Sequence, residues 1–143
     1  PRSAKRRSDA RPPCPQAEFE ELCDFLREYR IERVGVFPFS PEEGTPAAAM
    51  ERPDSETAQR RADLIMELQA PIMEDFCRSF CGKTLRVLYE YYDEESGYHV
   101  GRSYADSPDI DGLVLFSGDC REGDMVDVLI KYSEDGLLYG EQL

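Results

Sequence analysis

Residues 83–143, KTLRVLYEYYDEESGYHVGRSYADSPDIDGLVLFSGDCREGDMVDVLIKYSEDGLLYGEQL, carry the pattern that decides the fold. Over 83–91 the chain alternates, with Leu85, Val87, Tyr89 and Tyr91 at every second position, so one face of a strand is apolar and the other polar. The acidic turn DEESG at 93–97 separates this strand from a second at 97–104. Pro108 and the Asp111-Gly112 pair introduce a third at 112–117. A fourth at 125–132 and a fifth at 137–140 are joined around Asp135-Gly136. Five short strands in about 60 residues predict a small closed antiparallel barrel of OB-like kind, because closure removes the backbone edges an open sheet would expose.

Ahead of the barrel, Asp54 or Ser55 is a good N-cap for a long helix running to about Phe80. Ala58, Ala62, Ile65, Leu68, Ile72, Phe76 and Phe80 form its apolar stripe, the pattern of a core-packing helix. Pro71 lies inside and is expected to kink it by crowding the carbonyl of Glu67; Gly82 ends it. A shorter helix is predicted over 17–29 from Phe19, Leu22, Phe25, Leu26 and Tyr29. The run RVGVFPF at 33–39 reads as a buried strand ending at Pro38. One helix and one strand cannot cover both faces of a parallel sheet, so this αβ unit is expected to be left over from a larger domain. SPEEG at 40–44 has the proline and glycine of a turn. The first 16 residues, rich in proline and bases and lacking an initial Met, read as a disordered lead-in. The predicted class is α+β, in four segments: lead-in 1–16, αβ unit 17–52, connecting helix 53–82 and barrel 83–143.

Thirty acids against 17 bases give a formal net charge of -13. The first 11 residues are net +4, while 83–143 hold 14 acids against five bases, net -9. Such a balance argues against binding a phosphate backbone and for a basic partner. No apolar run approaches the roughly 20 residues of a membrane span. Five cysteines (Cys14, Cys23, Cys77, Cys81, Cys120) lack a disulfide framework and fit reduced thiols in a cytoplasmic setting. Cys77 and Cys81 share a helix face but have no further ligand at hand, so they read as packed thiols, not a metal site. His99, the single histidine, alternates within a strand and reads as structural.

Three stretches together resemble one family. AEFEELCDFLREYRIERVGVFPFSPEEGTPAAA at 17–49 resembles the end of the radical-SAM barrel of the methylthiotransferases. QRRADLIMELQAPI resembles their connecting helix, and the run from Lys83 to Phe116 resembles their TRAM domain. VGVFPFSPEEGTPA and GRSYADSPDIDG match the RimO branch, which modifies a ribosomal protein, better than the tRNA-modifying MiaB branch. The resemblance implies S-adenosylmethionine and two 4Fe-4S clusters for a full-length enzyme. Their three-cysteine motifs are absent from this chain, so neither a catalytic nor a metal-ligating residue is expected here, and no cofactor bound by this part alone.

By resemblance, Phe37, Phe39, Ser40 and Thr45 approach the S-adenosylmethionine pocket. The expected role of the barrel is docking a basic small-subunit ribosomal protein, through Asp93, Glu94 and Glu95, through Asp106, Asp109 and Asp111, and through Tyr92 as a surface anchor. Arg102 is expected to brace one of these carboxylates, while Tyr89 and Tyr91 pack in the core. Two alternatives stand beside this reading: an RNA-binding module of the MiaB type, and an inactive truncated remnant with a folded barrel.

Overall fold

The computed structural model describes residues 15–107 and 112–143. The first helix, α1, runs Pro15–Tyr29, with Glu18 in its first turn and Arg27 in its last, each sign matched to the helix dipole. It ends at Arg30, whose N–H still donates to the Leu26 carbonyl at 3.0 Å and whose positive φ of 47° turns the chain out of the helix. A long helix, α2, runs Ser55–Arg78. Asp54 caps it, its carboxylate accepting from the Thr57 amide at 2.8 Å and from the Thr57 hydroxyl at 3.0 Å. The Thr57 amide bond, reinforced by the hydroxyl, holds the Asp54 pKa below the ordinary carboxylate value. The helical assignment continues through Pro71. The chain divides into two compact units, Pro1–Gln69 and Ala70–Leu143, with the boundary inside α2.

In the first unit, Cys23 and Leu26 of α1 bury against Ile65 of α2, with Phe19, Val34, Val36 and Leu68 packed around them. The strand expected at 33–39 is not formed. A strand exists through the ladder it shares with a neighbour, and none of the described residues supplies one here. The segment runs as irregular chain: Val34 and Val36 turn into the small core, while Phe37 and Phe39 are 88% and 55% exposed. Its entry is held by Gln69, itself buried, whose amide nitrogen donates to the carbonyls of Ile31 at 2.9 Å and Glu32 at 2.7 Å. Gln69→Leu keeps the bulk and removes both bonds, a loss of about 1–2 kcal/mol. Amide exchange over 31–36 is expected to speed up about tenfold while exchange in the barrel stays unchanged. Equal exchange in both proteins would contradict this.

In the second unit five strands close on themselves: β1 Thr84–Asp93, β2 Tyr98–Arg102, β3 Val114–Ser117, β4 Met125–Glu134 and β5 Leu137–Gln142, in the ring order β1-β2-β3-β5-β4. The OB-like barrel expected from 83–143 is therefore present. Four pairings are antiparallel, and β3 with β5 is parallel. An odd ring requires this, because directions that alternate around five strands must leave one like-directed pair. Alternate residues fill the interior: Leu85, Val87 and Tyr89 of β1, Val114 and Phe116 of β3, Val126, Val128 and Ile130 of β4, and Leu138 of β5. Cys77 and Phe80 complete this core. The β4–β5 turn is a two-residue hairpin with positive φ at Asp135 and Gly136, a twist that suits adjoining strands.

Tyr91 departs from expectation. The β1–β2 register shifts between Tyr89 and Tyr91, so the even alternation breaks at Glu90 and leaves Tyr91 51% exposed, not in the core.

Candidate functional site

The turn after β1 is folded by its own first acid. The Asp93 carboxylate accepts from the Ser96 amide at 3.2 Å and the Glu95 amide at 3.3 Å. Hydrogen bonds from Ser96 and then from the Glu95 amide keep its pKa below the ordinary carboxylate value, so it stays ionised while bracing the turn. Glu94 and Glu95 stand exposed at the tip. Asp106 is half-buried and accepts from the Ser103 amide at 2.9 Å and the Ser103 hydroxyl at 2.7 Å, which fixes the bend after β2. Asp109 and Asp111 lie outside the described residues. Tyr92 is 51% exposed, with its ring 5.1 Å from that of His99.

His99 belongs to the packing. Its ring stacks on Phe116 at 5.5 Å and meets the Tyr89 edge at 4.9 Å. Its Nε2 lies 3.0 Å from the Gly118 carbonyl, which only accepts, so Nε2 is assigned the proton. Arg102 is a brace, as expected, but its partner is Glu90 at 2.7 Å, both half-buried. The register shift that turns Tyr91 outward also presents Glu90 to Arg102.

Two other barrel bases are paired as well, Arg86 with Asp127 at 3.5 Å and Lys131 with Glu141. Lys83 lies 5.8 Å from the Phe80 ring. With 14 acids against five bases in 83–143, the acids outnumber the barrel's own cations nearly three to one.

Sequence reasoning missed a tyrosine cluster. Tyr132 and Tyr139 are cross-strand partners stacked at 4.6 Å with only 4° between ring planes, and Tyr98 meets Tyr139 edge-on at 5.8 Å. Burial and a hydrogen bond with Tyr98 raise the Tyr132 pKa. Burial and the neighbouring Glu134 raise that of Tyr139. Both hydroxyls stay neutral at physiological pH. The signal was available: counting back from the Asp135-Gly136 turn pairs Glu134 with Leu137, Ser133 with Leu138 and Tyr132 with Tyr139.

In the first unit, the turn at 40–45 has Gly44 at φ 83°. The Thr45 hydroxyl donates to the Glu42 carbonyl at 2.8 Å and accepts from the Ala48 amide at 3.3 Å, capping the short 3-10 helix Pro46–Ala49. That hydroxyl is committed to the turn, whereas Phe37, Phe39 and Ser40 are exposed. Cys23 is buried in the first unit's core, and the Cys77 thiol donates to the Gly136 carbonyl at 3.5 Å. Among the described residues no three His, Cys, Asp or Glu side chains converge to hold a metal. No helix among the described residues is long and apolar enough to cross a membrane.

Residues 81–143 match the TRAM domain family. The chain is similar to the ribosomal protein uS12 methylthiotransferase RimO of Bdellovibrio bacteriovorus, 44% identical over 129 residues, which cover 88% of this chain and 28% of the relative. It is likewise similar to the RimO of Cellvibrio japonicus, 43% identical over 133 residues, 90% of this chain and 29% of that one. The RimO of Nostoc punctiforme is 39% identical over 127 residues, 88% and 29%. The chain thus spans under a third of the length of the curated relatives it matches. A closed five-stranded barrel, a TRAM match over that barrel and RimO identity continuing through the residues ahead of it agree: over most of its own length the chain is similar to RimO-type methylthiotransferases, and its barrel matches the TRAM domain family.

Proposed function

We propose that this chain is the substrate-docking part of a RimO-type methylthiotransferase and that its barrel holds the basic ribosomal protein on which the enzyme acts. The observation that carries the reading is the unneutralised acid of a barrel whose relatives are named for ribosomal protein uS12. An acidic surface cannot displace phosphate counterions, but it attracts a Lys- and Arg-rich protein and speeds their encounter. Among the described residues of this set, Glu94 and Glu95 are the most exposed acids. Asp93 and Asp106 shape the turns that present the surface, and Tyr92 supplies an aromatic contact beside it. Asp109 and Asp111 join the proposal by their place in the sequence alone.

Catalysis belongs to the complete enzyme, with S-adenosylmethionine and iron–sulfur clusters bound by residues this chain does not contain. In that enzyme Phe37, Phe39 and Ser40 border the S-adenosylmethionine pocket, and Thr45 holds the shape of the turn that follows them. The exposure of both phenylalanines supports this. A ribosomal-protein substrate places the work in the cytoplasm.

Titrating the chain with uS12 tests the docking. Binding is expected at low salt and to weaken steeply as salt rises. Glu94→Gln with Glu95→Gln is expected to weaken it about three- to tenfold, mostly through the association rate. Absence of binding at low salt would overturn the proposal, and retention of tRNA in its place would favour the RNA-binding reading.

A further inference from the structure

The tyrosine cluster is unused by the reading above except as barrel surface. Tyr132 is 46% exposed, and Tyr98 and Tyr139 are partly exposed beside it. Parallel stacking of Tyr132 on Tyr139 and the edge-on Tyr98 fix the rings against one another, so little side-chain freedom remains to be lost on binding. Two exposed acids on the β4–β5 turn, Glu134 and Asp135, border the rings, and the field of Glu134 reaches both Tyr132 and Tyr139. The nearest cation on the same strand, Lys131, is paired with Glu141. A rigid aromatic surface with a carboxylate edge suits a flat, delocalised cation: a guanidinium stacks on the ring face and places its N–H groups against a carboxylate, whereas an ammonium lacks both the plane and the fork. Nucleobases also stack on tyrosine, but their phosphates would meet the acids with no unpaired cation on this strand pair.

We propose that Tyr98, Tyr132 and Tyr139, edged by Glu134 and Asp135, form an arginine-reading surface that takes a guanidinium from an extended basic segment of the docked protein. The inference rests on the docking reading and adds the place and chemistry of one contact. It separates the barrel's work into two parts. The acids at 93–95 draw in any basic segment, and the tyrosines discriminate arginine from lysine.

The test uses the 143-residue chain with two nine-residue probes, alternating Arg-Gly and alternating Lys-Gly. The wild type is expected to bind the arginine peptide about five- to tenfold tighter. Tyr132→Leu with Tyr139→Leu keeps apolar bulk but removes the rings, and is expected to bring the two peptides within twofold. The corresponding pair of Tyr→Phe changes retains the preference. Glu94→Gln with Glu95→Gln weakens both peptides alike. Should the leucine variant fail to fold, NMR of the wild type decides: the arginine peptide is expected to shift resonances of residues 98, 132 and 139 most. Equal affinity of the wild type for both peptides, shifts confined to 93–97, or tighter binding of a twelve-nucleotide oligouridylate would each overturn the proposal. Binding of uS12 undiminished in the leucine variant would overturn it while leaving docking intact. Failure of uS12 to bind, with the arginine preference present, would count against the docking reading alone.

Discussion

Phe116→Ala is expected to lower the barrel's unfolding free energy by about 4 kcal/mol, the range for deleting a fully buried phenyl ring. Phe116 has no exposed surface, and it joins β3 to the rest of the interior. Its ring stacks with His99 at 5.5 Å and meets Tyr89 edge-on at 6.0 Å, so the change removes two ring contacts as well as buried area. The surrounding Val87, Val114, Val128 and Ile130 are also wholly buried and belong to a closed ring of strands, which leaves little freedom to collapse into the space. Urea unfolding of the full chain checks this, with the barrel followed separately by hydrogen exchange, because the two compact units need not unfold together. Phe116→Leu should recover most of the loss. A cost below about 1 kcal/mol for the alanine variant would show the interior to be loosely packed.

How far the sequence discloses such a core depends on which rule each residue obeys. Leu85, Val87 and Tyr89 follow strict alternation and all point inward, so period-two reasoning finds them. Tyr91 breaks the rule because a register shift lies just before it, and a bulge has no strong mark in side-chain pattern. The β3–β5 parallel pair follows from counting strands in a closed ring, which alternation alone does not do. The segment at 33–39 has the composition of a strand but finds no neighbour to pair with among the described residues, and pairing is a property of the surroundings. The site divides the same way. Acidity and loop position single out Glu94 and Glu95 as exposed candidates, whereas the intraturn bonds of Asp93 and Asp106, and the tyrosine stack, need register and turn geometry.

Gly140→Ala and Gly101→Ala are each expected to destabilise the barrel by about 3 kcal/mol, for a reason that links them to the register shifts. A Cβ on Gly140 would lie 2.5 Å from the Leu129 carbonyl oxygen and 2.6 Å from a Val128 methyl. On Gly101 it would lie 2.4 Å from the Leu88 carbonyl oxygen and 2.7 Å from a Val87 methyl. Gly101 pairs with Tyr89, and Gly140 with Ile130, the last regular residue before the shift in β1 and β4 respectively. The two corners are therefore built alike: a long strand bends over its neighbour, and the neighbour carries glycine where the bent backbone presses closest. Since the obstacle is a backbone carbonyl, relief requires moving the strand, and a rotamer change elsewhere does not help. The gain from restricting glycine in the unfolded chain, about 0.5–1 kcal/mol, is too small to offset the clash. Each variant should speed exchange most in its own pair, β1–β2 for Gly101→Ala and β4–β5 for Gly140→Ala. Their costs should add in the double variant, because they act at separate strand pairs. Wild-type stability in both single variants would mean that the strands do not cross as closely as the corners require.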